Sequence, residues 1–160
     1  MIQRIQTLYL LLVAVAGALM FFIHLVSLIP EQQSVETAVY HMSMLRTEKL
    51  VNGTSGMVMR SWPGVLMNVV VISFSVLVML QYRNRKKQIR SSHLLLLLVL
   101  TNIVLMIYDV EQLRNSAGTG FMLTYNVFSL LPVLQLLFSR LATAAIKKDE
   151  ELVRSADRLR

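Results

Sequence analysis

Apolar residues run almost unbroken from Thr7 to Ile29, entered after Arg4 and stopped by Pro30-Glu31. As a helix these 23 residues would reach about 34 Å, enough for a hydrocarbon core of ~30 Å. Arg4 resembles the charged start of a secretory signal, and Ala14-Val15-Ala16 resembles a cleavage site. The apolar stretch outruns the roughly 7–15 residues of a signal core, so an uncleaved helix is expected. A second run opens at Trp62-Pro63-Gly64 and continues to Tyr82. Proline suits a first helical turn, and tryptophan suits the water–lipid interface. The third run begins near Ser92, and its apolar part, Leu94 to Tyr108, has only fifteen residues. Its flanks must then lie close to the headgroups, or the bilayer must thin. The fourth run spans Phe121 to about Leu141 and contains Pro132, where a kink is expected. The predicted spans are 7–29, 64–82, 92–109 and 121–141.

The connections differ in character. Residues 30–63 form an outer loop in which Glu31, Glu36 and Glu48 balance Arg46, Lys49 and Arg60. Thr37 to Leu45 leans towards β structure and Asn52-Gly53 is a turn signal, so a small hairpin on the membrane face and an irregular loop both fit. Arg83, Arg85, Lys86, Lys87 and Arg90 form a run of five cations with no anion. Ala117-Gly118-Thr119-Gly120 reads as a turn. In the tail, Lys147–Glu151 and Glu150–Arg154 are attractive pairs at helical spacing, and Val153, Ala156 and Leu159 leave a thin apolar edge. A helix is expected over 143–160. Joined to the fourth span, it would make a rod of about 60 Å from Phe121 to Arg160, longer than a bilayer is thick. The expected organisation is a four-helix transmembrane domain over 1–142 and a charged C-terminal helix over 143–160.

Composition agrees with membrane residence. Of the 160 residues, 55% are hydrophobic and 16% charged, against roughly 25% charged in soluble domains. The net charge of +7 falls in blocks between apolar runs, with no basic groove interleaved with aromatics, which argues against nucleic-acid binding. The N-terminus, the second connection and the tail with Arg140 hold twelve cations, and the first and third connections hold four. The three basic segments fall on one side of four alternating spans, so both termini are expected in the cytoplasm. With no cysteine, disulfides and thiolate metal sites are excluded.

Met1-Ile2-Gln3-Arg4-Ile5-Gln6-Thr7-Leu8-Tyr9-Leu10-Leu11-Leu12 and the ending Lys147 to Arg160 carry a family likeness. They resemble the two ends of a Bacteroidota inner-membrane protein family catalogued as domain of unknown function 4293. That resemblance implies four membrane helices in a bacterial inner membrane, and brings no activity or catalytic residue with it.

Polar residues within spans are costly in lipid and should point inward. Asn68 and Ser75 share a face of the second span, Asn102 and Asp109 of the third, and Asn126 and Ser129 of the fourth. On the first, Ala14, Gly17, Ala18 and His24 lie along one stripe, with Ala14-x-x-x-Ala18 allowing close helix approach. His24, Asn68, Asp109 and Asn126 would gather in the outer third of the membrane as a candidate polar cluster for a proton, an ion or a lipid headgroup. Alternatively these side chains make interhelical hydrogen bonds. No catalytic or cofactor motif is visible, no acidic residue sits near the centre of a span, and His24, His41 and His93 fall in different segments, so no metal site is read.

The fold expected from sequence is therefore an all-α, antiparallel four-helix transmembrane bundle with a small extracytoplasmic loop and a cytoplasmic C-terminal helix. The leading functional expectation is a non-enzymatic accessory, scaffold or assembly subunit of an inner-membrane complex. Its candidate contacts with a protein partner or anionic lipid headgroups are Arg83, Arg85, Lys86, Lys87, Arg90, Lys147, Lys148, Arg154 and Arg158. The partner would be another inner-membrane protein, or a cytoplasmic one docking on the tail. The alternative is a small transporter or lipid-handling homo-oligomer working through the outer polar cluster.

Overall fold

The computed structural model of the chain describes residues 3–30, 38–44, 46–51, 54–59, 62–118 and 121–158. Four long helices, α1 (Gln3–Phe22), α2 (Trp62–Leu80), α3 (Arg85–Ala117) and α4 (Leu131–Arg158), pack as a closed ring, each against the next and α4 against α1. Each holds a stretch long and apolar enough to cross a membrane. Their burial pattern is inverted relative to a soluble protein. Along α3, Gln88, Ser92, Asn102 and Asp109 are buried, while Leu94, Leu97, Val104 and Ile107 are exposed. Water would penalise that outer surface heavily, and hydrocarbon does not. The inward positions of α3 recur at helical spacing, Gln88, Ser92, Leu95, Val99, Asn102, Met106, Asp109 and Leu113.

The expectation of an all-α bundle with a minor loop is overturned. Strands β1 (Val26–Pro30), β2 (Ala38–Met42), β3 (Thr47–Val51), β4 (Thr54–Met59) and β5 (Phe121–Tyr125) form one antiparallel sheet in the order β4-β3-β2-β1-β5. Two of its strands come from residues expected in membrane helices. The apolar run predicts a first span reaching Ile29, yet α1 ends at Phe22. Its 20 residues already reach about 30 Å, so nothing requires more helix. The amide of Met44 caps the carbonyl of Met20 at 3.0 Å, and the chain turns into β1 with Leu25 bonding the Met42 carbonyl at 2.8 Å. Strand β1 is interior to the sheet, bonded to β2 on one side and to the edge strand β5 on the other. Buried on a sheet, it reads in sequence as a plain continuation of the greasy run.

The apolar run predicts a fourth span from Phe121, but 121–125 is β5, a short 3-10 turn follows at Val127–Leu130, and α4 starts at Leu131. Pro132 therefore sits in the first turn, where its missing amide costs no helical bond, and the expected kink has no basis. Helix α3 runs 33 residues, well beyond the short apolar segment that suggested a thinned bilayer. It starts at the Asn84 cap, whose side chain accepts from the Lys87 amide, and ends at Gly118 with φ +87°. The expected turn residues Thr119, Gly120, Asn52 and Gly53 lie outside the described residues.

The sheet sits at the end of the bundle where α1 and α3 finish and α2 and α4 begin. One apolar cluster joins Met20, Leu25, Val26, Leu28, Tyr40, Met42 and Met44 to Met106 and Leu113 of α3. A second, towards the other end, joins Leu10, Val13, Val71, Val78, Leu95, Val99, Ala142 and Ile146. That other end gathers the start of α1, the α2–α3 connection and the last turns of α4, and it carries the basic residues of the connection and tail.

Candidate functional site

Between the two apolar clusters, every helix contributes to one polar level. Asn68 of α2 donates through Nδ2 to the Gly17 carbonyl of α1 at 2.8 Å, and its Oδ1 accepts from Asn102 of α3 at 3.5 Å. Gln135 of α4 donates to the Val13 carbonyl at 3.3 Å. Asn68, Asn102 and Gln135 are each fully buried. Gly17 permits this level: a Cβ there would lie 2.8 Å from Gln135 Nε2, 2.8 Å from Ile72 Cγ1 and 3.1 Å from Asn68 Oδ1. The close approach on α1 thus comes from Gly17 of the expected stripe, buried beside Ala16, and not from the Ala14-x-x-x-Ala18 pair, since Ala18 is exposed. Further along the inward faces, Ser75, Ser92, Ser139 and Thr143 turn their hydroxyls back on carbonyls three or four residues earlier. Such small self-bonded residues let helices pack closely without presenting a site.

At the basic end the polar seam opens into a cavity of about 220 Å³ between α1, α2, α3 and α4. Gln6, Arg85, Gln88 and Asp149 supply its polar side, and Met79, Leu80 and Ile146 its apolar side. Gln6 donates to Asp149 Oδ2, Gln88 to the Val78 carbonyl at 3.2 Å, and Arg85 to the main-chain oxygen of Asp149 at 3.3 Å. Asp149 is 7% exposed, and its Oδ1 has no hydrogen-bond partner among the described residues. Sequence inspection treats Asp149 as one more acid in a solvated tail. Its phase was legible: Gln135, Ser139, Ala142 and Ile146 lead to Asp149 along one helical face.

The four residues expected to cluster are distributed over two levels. His24 and Asn126 are exposed beside the sheet, where Asn126 donates to the His24 carbonyl at 3.4 Å. Asn126 precedes α4 and shares no helical face with Ser129, whose hydroxyl donates to the Leu25 carbonyl. Asn68 lies at the Gly17 level, and Asp109 is buried two turns further along α3 from Asn102. His24 and His41 meet with ring centroids 5.2 Å apart, and His41 Nδ1 lies 2.9 Å from Ser27 Oγ. His93 is exposed on α3. No group of three or more His, Cys, Asp or Glu able to hold a metal ion occurs among the described residues. Of the nine basic contact candidates, Lys87, Arg90, Lys147 and Lys148 are exposed, and Arg85 is half-buried at the cavity. The side chains of Arg83, Lys86, Arg154 and Arg158 lie outside the described residues.

A second cavity of about 270 Å³, mostly apolar, lies between α3, α4 and β5, lined by Ile103, Met106, Leu123 and Pro132 with Glu111 and Arg114. In comparison with known proteins, the family model described as Domain of unknown function (DUF4293) matches residues 2–159. No curated protein matches the chain.

Proposed function

The chain belongs to that family of unknown function, and because its description names no activity we propose a role from the architecture alone. The protein is a non-enzymatic scaffold or assembly subunit of a bacterial inner-membrane complex. Its basic end faces the cytoplasm and its sheet faces the opposite side. The observation that carries this reading is the tight level at Gly17, where Asn68, Asn102 and Gln135 bond across the four helices and a Cβ on Gly17 would have no room. An interior filled in that way suits a rigid platform better than a solute path. What such a platform displays is its ends. The sheet forms one, and the last turns of α4 form the other, with Leu152 and Val153 exposed next to Lys147, Lys148 and Glu151. Mixed charge around an apolar edge fits a protein surface better than a purely anionic lipid surface, which would call for cations alone.

Orientation rests on the basic segments. Reporter fusions after residue 160 and within 31–37 are expected to report cytoplasm and the opposite side respectively; the reverse would reject the assignment. The scaffold reading is tested by purification in mild detergent followed by native mass spectrometry. A stoichiometric second protein is expected, and removing residues 151–160 should release it while leaving the elution volume of the chain itself normal. The cut spares Ile146 and Asp149, which are buried. A chain that emerges alone or only self-associated would overturn the proposal.

A further inference from the structure

The cavity at the basic end has two charged walls that do not neutralise each other. Arg85 donates to the main-chain oxygen of Asp149, and no ion pair joins its guanidinium to the Asp149 carboxylate among the described residues. The carboxylate is more than nine-tenths buried, Gln6 satisfies one of its oxygens, and the other, Oδ1, is buried with no partner among the described residues, while Asp149 as a residue borders a cavity with room for several heavy atoms. A buried anionic oxygen without a donor is expensive, and a ligand that brings a donor and a positive charge would recover that cost. Arg85, in the same cavity, offers donors suited to a phosphate or carboxylate. The remaining wall is apolar, with Leu80 and Tyr82 both largely exposed at the point where α2 ends.

We propose that this pocket binds a zwitterion in which a primary ammonium reaches Asp149 and an anionic group reaches Arg85, and that its source is the headgroup of an aminophospholipid. The lipid source follows from the wall of Met79, Leu80 and Ile146, which continues onto the lipid-compatible outer face of α2. A phosphoethanolamine headgroup holds ammonium and phosphate a few bonds apart and is followed by apolar chain. A phosphocholine headgroup carries the same charges, but its quaternary ammonium has no hydrogen to donate, so Oδ1 would stay unpartnered. The pocket should therefore separate two lipids of equal charge. This site is independent of the scaffold role: it concerns the lipid held at the basic end, not the protein recruited there.

The test uses the full chain in detergent, titrated with phosphatidylethanolamine or phosphatidylcholine and read by native mass spectrometry. One phosphatidylethanolamine per chain is expected, retained about tenfold more strongly than phosphatidylcholine, the discrimination of one charge-assisted hydrogen bond. Asp149→Asn should bring the two lipids level. Arg85→Gln, at a half-buried residue, leaves the carboxylate in place and should weaken both lipids together. Soluble phosphoethanolamine at equal concentration should not displace the lipid. Equal retention of the two lipids by the unaltered chain, or a preference that survives Asp149→Asn, would overturn the proposal. Displacement by the soluble headgroup would overturn its lipid source.

Discussion

Gly17→Ala is expected to lower the stability of the protein by about 1–3 kcal/mol, and Gly17→Leu to prevent a monodisperse bundle from forming. Two effects compete at this position. In an isolated helix interior, alanine is better than glycine by up to ~1 kcal/mol. Against that gain stands the level where α1 touches its neighbours. The added Cβ would fall 2.8 Å from Gln135 Nε2 and 2.8 Å from Ile72 Cγ1. The Gln135 amide ends a flexible chain and can swing aside, at the loss of its bond to the Val13 carbonyl. Ile72 Cγ1 is close to its own backbone, so relieving that contact moves α2 as a whole. Displacing α2 then lengthens the 2.8 Å bond from Asn68 to the Gly17 carbonyl, worth about 1 kcal/mol. Packing therefore outweighs propensity. Thermal unfolding in detergent should show a midpoint several degrees lower for Gly17→Ala, while Ala18→Gly, on an exposed position, should lose only the propensity term. A Gly17→Ala protein as stable as the unaltered chain would show that the helices do not close where the structure puts them.

How much of this was legible in the sequence depends on which physical signal each residue carried. The four long apolar helices were legible because hydrocarbon thickness demands about twenty apolar residues, and such runs stand out. The sheet was not, because hydropathy records where a residue wants to be and not the backbone it adopts there. Residues 25–29 and 121–125 are as greasy as the helices they adjoin, and only their ladder partners make them strands. Pro132 marked a helix start, not a bend, a distinction that depends on where the preceding element ends. On α1, composition pointed to a stripe of Ala14, Gly17, Ala18 and His24, of which only Gly17 is buried; helical phase selects Val13, Ala16, Gly17 and Met20. Phase also carried the one clue to the basic-end pocket, since Asp149 continues the inward face of α4. Gln6 offered no such clue, because a single polar residue near the start of a span reads equally as a headgroup contact.

Leu28→Ala is expected to cost about 2–5 kcal/mol, the range for deleting a buried aliphatic side chain, and to loosen both halves of the sheet at once. Leu28 is fully buried, and its backbone stands opposite Tyr40 of β2 and Leu123 of β5. Tyr40 in turn meets Phe121 edge-on, with ring centroids 5.3 Å apart, so the aromatic pair bridges over β1 from one neighbour strand to the other. Removing the Leu28 side chain leaves a void beneath that bridge. Neighbouring Ile29 is 43% exposed, so Ile29→Ala, a cut of equal chemistry, should cost well under half as much. Hydrogen exchange distinguishes the strand from a helical continuation of α1. With β1 paired between β2 and β5, Leu28→Ala should speed exchange of the amides of both strands together, although these strands lie some eighty residues apart in sequence. If residues 26–30 merely prolonged α1, the amides of 121–125 would have no reason to respond. Unchanged exchange in β5 would therefore remove β1 from its place between β2 and β5.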